Sequence, residues 1–267
     1  MGNAALFADL TRERIRRLAP EAVVVVPVGA TEQHGPHLPV GTDTFAVGHI
    51  AWAAALAAAE RATVVVTPTL PFGSSHHHLP FGGTISLSTE TYYRAVREIT
   101  ESLIGTGFRR LLLLNGHGGN RDIISLVARD LSLIHPVRIS AASYWEIARQ
   151  AVAETAWSRT GDVPGHAGAF ESSVVLALRP ELATEPLPHR DEPDVARLRQ
   201  QPGLIRIEDR ANWSAIDGYT DSPDRASGDE GRAYLDLIVA AVADAYVELA
   251  VGRSPSPVAK LGNESPS

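Results

Sequence analysis

The chain contains no cysteine, and its one methionine is the first residue. Disulfide bridges, thiolate metal sites, iron–sulfur clusters and a cysteine nucleophile are excluded, so any metal must rest on His, Asp and Glu. Runs of Lys or Arg are also missing, and 24 basic against 31 acidic side chains leave a formal charge of −7. Such a chain lacks the basic footprint that grips a phosphate backbone, and no nucleic-acid partner is expected. The longest low-charge stretch, residues 45–59, is Ala-rich, includes His49 and falls short of the roughly 20 apolar residues that span a bilayer. It reads as a buried or half-buried helix, and no membrane partner is expected. Residues 1–17 lack the basic-then-apolar order of a secretory signal, which leaves the cytoplasm as the expected location.

With 44% hydrophobic and 21% charged residues, the chain carries enough apolar surface for a sizeable core. Its 267 residues suit one domain, read as 1–252, followed by a Pro- and Ser-rich tail at 253–267 read as disordered. Short apolar runs at 22–28, 62–67, 109–114 and 137–143 alternate with Ala- and Leu-rich stretches at 45–59, 89–105 and 119–134. This alternation predicts an α/β fold with a largely parallel central sheet flanked by helices. The runs Val23-Val24-Val25-Val26 and Leu111-Leu112-Leu113-Leu114 suit central strands covered on both faces. Residues 180–227 are rich in Pro, Arg, Asp and Gly without a period, which reads as a lid or an oligomer contact. A last amphipathic helix is predicted at 229–251.

Polar residues of metal-binding type gather just after predicted strands, where open α/β sheets place their sites. After the 22–28 strand come Glu32-Gln33-His34-Gly35-Pro36-His37 and then Asp43. Pro36 and Pro39 forbid a helix, and in extended chain residues two apart share a side, so Glu32 and His34 reach one point while Gln33 turns away. After the 109–114 strand come Asn115-Gly116-His117-Gly118-Gly119-Asn120, whose glycines give the imidazole room to reach a metal. A third cluster, Gly165-His166-Ala167-Gly168-Ala169-Phe170-Glu171, leads into an apolar helix taken to begin near Ala167. Singly, each has an ordinary reading: Asp43 is a good N-cap, and a lone His is most often exposed or hydrogen-bonded. The glycines at 116–119 could cradle a phosphate, although the spacing of a nucleotide-binding loop is missing. Carboxylates and imidazoles at three strand ends, in a chain without thiols, together favour a metal site.

Four segments in order resemble the motifs of the creatininase family of metal-dependent amidohydrolases. They are Val28-Gly29-Ala30-Thr31-Glu32-Gln33-His34-Gly35-Pro36-His37-Leu38-Pro39, then Phe81-Gly82-Gly83-Thr84-Ile85-Ser86-Leu87, then Asn115 to Asn120, then His166-Ala167-Gly168-Ala169-Phe170-Glu171-Ser172-Ser173. The resemblance covers about residues 22–178 and implies a three-layer α/β/α sandwich holding two divalent ions, Zn2+ foremost, with Mn2+ or Fe2+ as alternatives. By that resemblance Glu32 and His117 look like ligands of one metal, His34 like a ligand of the other, and Asp43 like the bridge. Creatininase itself draws a Glu from two positions after the His matching His117. Gly119 stands there in this chain, which puts creatinine as substrate in question, and Glu171 looks like the ligand of the second metal. Many relatives also carry Glu where Ala169 stands. His166 resembles the acid/base residue that protonates the departing nitrogen, with a metal-ligand role as the alternative, and it forms the implied catalytic set with Glu171.

The triple His76-His77-His78 cannot direct all three rings at one point in extended chain, and His78 is the one expected in the pocket. With Ser86, Gly118 and Trp145 it is a candidate substrate contact. His37, Asn115 and Asn120 are expected behind the ligands, holding them in place. Trp157, Trp213 and Tyr219 read as ordinary packing, with the roof of a flat substrate as the alternative, and His49, His135 and His189 as structural or exposed. The implied reaction is hydrolysis of a non-peptide C–N bond in a small-molecule amide, a lactam or a formamide, by metal-activated water. Trimming of a short peptide by the same centre is one alternative, and a non-catalytic binding protein that keeps the fold is another. Relatives are commonly hexameric, so the resemblance also implies a homo-oligomer.

Overall fold

The computed structural model describes residues 3–153, 163–191, 193–195 and 212–252. Five strands, β1 (Asn3–Leu6), β2 (Val23–Val28), β3 (Thr63–Val66), β4 (Arg110–Asn115) and β5 (Arg138–Ser143), form one sheet in the order β1-β3-β2-β4-β5. Every pairing is parallel, as the alternation of apolar runs and helices requires. Both central strands, β2 and β4, are buried along their whole length. Their side chains alternate between two cores: Val23, Val25, Leu112 and Leu114 enter one, while Val24, Val26, Leu111 and Leu113 enter the other.

The helices named among the described residues are α1 (Arg12–Leu18), α2 (Thr42–Ala58), α3 (Thr89–Thr106), α4 (Arg121–Ile134), α5 (Tyr144–Ile147), α6 (Arg149–Ala153), α7 (Ala169–Leu178), α8 (Asn212–Ala215) and α9 (Gly228–Val251). One core is closed by α2, α5, α7 and α9 through Ile50, Tyr144, Val174 and Ile238, the other by α1, α3 and α4 through Ile15, Val96 and Val127. Three layers result, each buried aliphatic side chain contributing about 1.5–3 kcal/mol. Helix α9 crosses α7 so closely that a Cβ at Gly231 would collide with the Ser173 carbonyl. The sequence pattern gave no sign of β1: Asn3-Ala4-Ala5-Leu6 has no β-branched residue, and the segment is a strand because Thr63–Val66 offers it an edge. Trp157 and the tail at 253–267 lie outside the described residues, as does the 196–211 part of the Pro-rich segment. No helix among the described residues is long and apolar enough to cross a membrane.

Helix α2 leaves β2 on one face of the sheet and α4 leaves β4 on the opposite face. Because β2 and β4 are neighbours, the chain opens a crevice beyond their carboxyl ends, the place where such sheets hold ligands. The loops carrying Glu32 and His117 both start there.

Candidate metal centre

After β2 the loop is pinned by the Glu32 amide, which donates to the Val40 carbonyl at 2.9 Å, and by a bridge between Thr31 and Ile85. Asp43 does not cap α2. The helix begins one residue earlier, with Gly41 at its N-cap, so the carboxylate is free of the helix terminus and faces the imidazoles. Its Oδ1 lies 3.2 Å from His34 Nε2 and its Oδ2 3.1 Å from His117 Nδ1. Glu32 Oε1 stands 3.1 Å from His117 Nδ1, and Glu171 Oε2 stands 3.6 Å from His34 Nε2. Two nests of donors thus share Asp43, and all five side chains are buried.

The far side of each ring settles which nitrogen can bind a cation. His34 Nδ1 lies 3.1 Å from the Glu32 carbonyl and His117 Nε2 3.2 Å from the Ser74 carbonyl. A carbonyl only accepts, so those nitrogens carry the hydrogens, and the lone pairs of His34 Nε2 and His117 Nδ1 point at carboxylates. Lone pair against carboxylate is repulsive unless a cation or a proton stands between. Both oxygens of Glu32 and Oδ2 of Asp43 are buried without a well-formed hydrogen bond, which the same cation would answer. These residues therefore fit a pair of divalent ions. With protons there instead, burial opposes the charge on His34, but Asp43 and Glu171 lift its pKa to about 10. Against the same burial, Glu32 and Asp43 hold His117 well above its ordinary value. Burial would neutralise Glu32, yet the facing His117 keeps it well below the usual carboxylate range. Glu171 goes the other way: burial raises it to about 8 although His34 opposes.

Around the nests sit the remaining candidates. His166 directs Nδ1 toward Glu32 Oε1 at 3.6 Å, while its Nε2 donates to the Gln33 carbonyl at 3.0 Å. Burial and the charge on His34 push its pKa well down. Gln33, expected to turn away, is buried against the site: its amide nitrogen lies 2.9 Å from His78 Nδ1, 3.1 Å from His166 Nε2 and 2.9 Å from the Gly218 carbonyl. Its outward side is not solvent, because residues 212–222 fold back over it. His78 is in the pocket as expected, its ring stacked on His166 at 4.3 Å. His77 reaches the pocket too, since residues His76–Phe81 form a 3-10 turn and not extended chain. Trp213 meets His78 and His166 edge-on at 4.6 and 4.9 Å and roofs the imidazoles.

Asn115 receives the His117 amide on Oδ1 at 3.0 Å and donates to the His117 carbonyl, and Asn120 joins Ser74 N to the Gly29 carbonyl. His37 shares a hydrogen bond with Ser172, next to Glu171. Ser86 receives the Ser75 amide at 2.7 Å and contacts His76, so it shapes the histidine turn. Gly118 faces open space. Trp145 packs against Tyr144 at 4.9 Å beside the α2 and α9 core, and Tyr219 packs under Arg190 at 4.1 Å. His49 and His189 are exposed, His189 pairing with Asp224 and Asp191, and His135 is half-buried. Two contributors carry no sequence signal. Ser75 holds His117 Nε2 at 3.1 Å, and Asp221 accepts the Ala169 amide at 2.6 Å, capping α7 beneath the Glu171 turn.

Carboxylates and imidazoles converging at the switch point of a three-layer α/β sheet make a candidate metal site. A family model described as creatinine amidohydrolase matches residues 8–246, and the chain belongs to the creatininase family of metal-dependent amidohydrolases. It is 31% identical to creatinine amidohydrolase of Pseudomonas putida over 93% of this chain and 98% of that one. It is 30% identical to the mycofactocin precursor peptide peptidase of Mycobacterium tuberculosis (strain ATCC 25618 / H37Rv) over 88% of this chain and 86% of that protein. A 3-dehydro-scyllo-inosose hydrolase of Thermotoga maritima is 35% identical over 42% of this chain and 35% of its own length. A solved creatininase in its Mn form superposes with a TM-score of 0.74 at 27% identity, covering 92% of this chain and 98% of that one.

Proposed function

We propose that the chain hydrolyses a non-peptide C–N bond, in a lactam or a formamide, with one divalent ion on Glu32, Asp43 and His117 and a second on His34, Asp43 and Glu171. The observation that carries this is Asp43, which offers one oxygen to each imidazole at 3.2 and 3.1 Å. Bound there, the ions would polarise the substrate carbonyl and make a water nucleophilic near neutrality. His166 Nδ1 is the movable proton site, because Nε2 is committed to the Gln33 carbonyl. Its depressed pKa leaves Nδ1 bare near neutrality, so the ring can take a proton from the attacking water and pass it to the departing nitrogen, the step an amide needs because an amide anion leaves poorly. The Gln33 carbonyl, which accepts from Nε2, and Trp213, which meets the ring edge-on, keep it oriented. Zn2+ is the ion we favour, with Mn2+ and Fe2+ next; we place the enzyme in the cytoplasm, and by family resemblance as a homo-oligomer, a hexamer, an assembly that light scattering tests.

The His166→Ala enzyme should keep its metal but lose more activity on an amide than on an activated ester, whose leaving group needs no proton. Equal losses on both would refute the donor role. The 30% identity to a peptide peptidase over 88% of the chain supports a second reading, cleavage of a short peptide. Turnover of a peptide panel, with lactams and formamides untouched, would replace the first reading by the second.

A further inference from the structure

We infer that His77 is the fourth side-chain ligand of the ion held by Glu32, Asp43 and His117. The inference rests on the two-ion reading above. A ring nitrogen of His77 lies within 4.8 Å of the ligand atoms of Glu32 and His117, and the His77 ring runs parallel to His117, 5° apart in plane with centroids at 5.8 Å. Its segment is fastened to the His117 loop: Ser74 N donates to Asn120 Oδ1 at 3.0 Å, and Ser75 Oγ lies 3.1 Å from His117 Nε2. The 3-10 turn His76–Phe81 then directs His77 and His78 to neighbouring parts of the site, His77 toward His117 and His78 toward His166.

Gly119 leaves the space beside His117 to the His77 ring. A Cβ there would collide with the Ser74 carbonyl and stand 2.6 Å from His117 Nε2 and 3.2 Å from His77 Cε1. No side chain at 119 can coexist with this turn, and the volume it would occupy abuts the His77 ring. This chain has room only for glycine at 119, and an imidazole arrives beside it from the opposite loop. Two imidazoles and two carboxylates make a set less anionic and softer than one with a third carboxylate, which favours Zn2+ or Fe2+ over Mn2+.

The test strips full-length wild type and His77→Gly with a chelator, reloads them with Zn2+, and reads metal per chain, Zn2+ affinity by chelator competition, and the visible spectrum of the Co2+ forms. The variant should hold one ion as wild type does and the other on the order of 100-fold more weakly, with an altered Co2+ spectrum. Added imidazole should restore both, which a merely structural role would not allow. His77→Asp, which keeps a ligand while changing its class, should shift the Mn2+ to Zn2+ affinity ratio toward Mn2+. Two ions bound at wild-type affinity with an unchanged spectrum, or a loss that imidazole does not repair, overturns the assignment. Should wild type take up one ion only, the two-ion reading fails while His77 is still judged by whether that ion weakens in the variant. Should wild type take up none, both fail.

Discussion

Loading metal into this pocket must expel protons. Burial disfavours charge on His34, yet Asp43 and Glu171 lift it to about 10, and Glu32 and Asp43 hold His117 well above its ordinary value. At neutral pH the metal-free chain therefore carries protons on the two nitrogens that face the carboxylates, and Glu171, raised by burial to about 8, carries another. An ion needs those lone pairs. For His34 the distance from about 10 down to neutrality is roughly three units, so proton competition would cost an ion on His34 about 4 kcal/mol at 1.36 kcal/mol per unit. Affinity at that position should climb about tenfold per pH unit for each proton displaced, until the pKa is passed. Stability of the chelated protein runs in the opposite direction. The stabilisation that comes from a raised imidazole pKa is complete below the unfolded value of about 6.5 and fades as the pH climbs toward 10. Titration calorimetry in two buffers of different ionisation enthalpy counts the protons, and chelator competition across the same range gives the slope. Metal binding with no net proton release, and an affinity flat from neutral to alkaline pH, would refute the reasoning. Asp43→Asn should abolish tight binding of both ions in the same assay, because one carboxylate faces both nests.

His37 is 2% exposed, and burial pushes its pKa from about 6.5 to about 4, so acid stability should depend on it. The unfolded chain takes up this proton first as the pH falls, so the folded state loses about 3 kcal/mol between the two values, and chelated His37→Gln should lose correspondingly less in denaturant titrations across that window. An unchanged acid limb in the variant would contradict this. Asp221 caps α7 from a distant loop, where Gly168 has no side chain with which to do so, and a Cβ on Gly168 would meet the Asp221 carboxylate. Asp221→Ala should cost about 1–2 kcal/mol in thermal or chemical unfolding and weaken the ion near Glu171 more than the one near Glu32. Equal weakening of both, or none, would show that the cap does not hold the Glu171 turn.

Residues that bring their own chemistry at strand ends were legible from the sequence, because strand period and glycine or proline punctuation already say where they point. Glu32, His34 and His117 are of that kind, and so is the parallel sheet that carries them, since Val23-Val24-Val25-Val26 and Leu111-Leu112-Leu113-Leu114 suit strands covered on both faces. Residues whose role depends on a partner far along the chain were not. The strand at Asn3–Leu6 exists because β3 is there to pair with it. Gln33 becomes part of the site only because Gly218 and His166 arrive from more than 130 positions away. Asp221 looks like any loop aspartate until α7 is found above it. Extended backbone would turn His77 away from His78, and a single 3-10 turn removes that constraint: at three residues per turn, successive side chains fan out by about 120°, letting neighbouring rings serve adjacent parts of one pocket. The candidate metal ligands thus follow from local rules, whereas the groups that orient them follow from closure of the fold. A substitution at Gln33, Ser75 or Asp221 should accordingly alter affinity and rate while leaving the ligand motifs untouched.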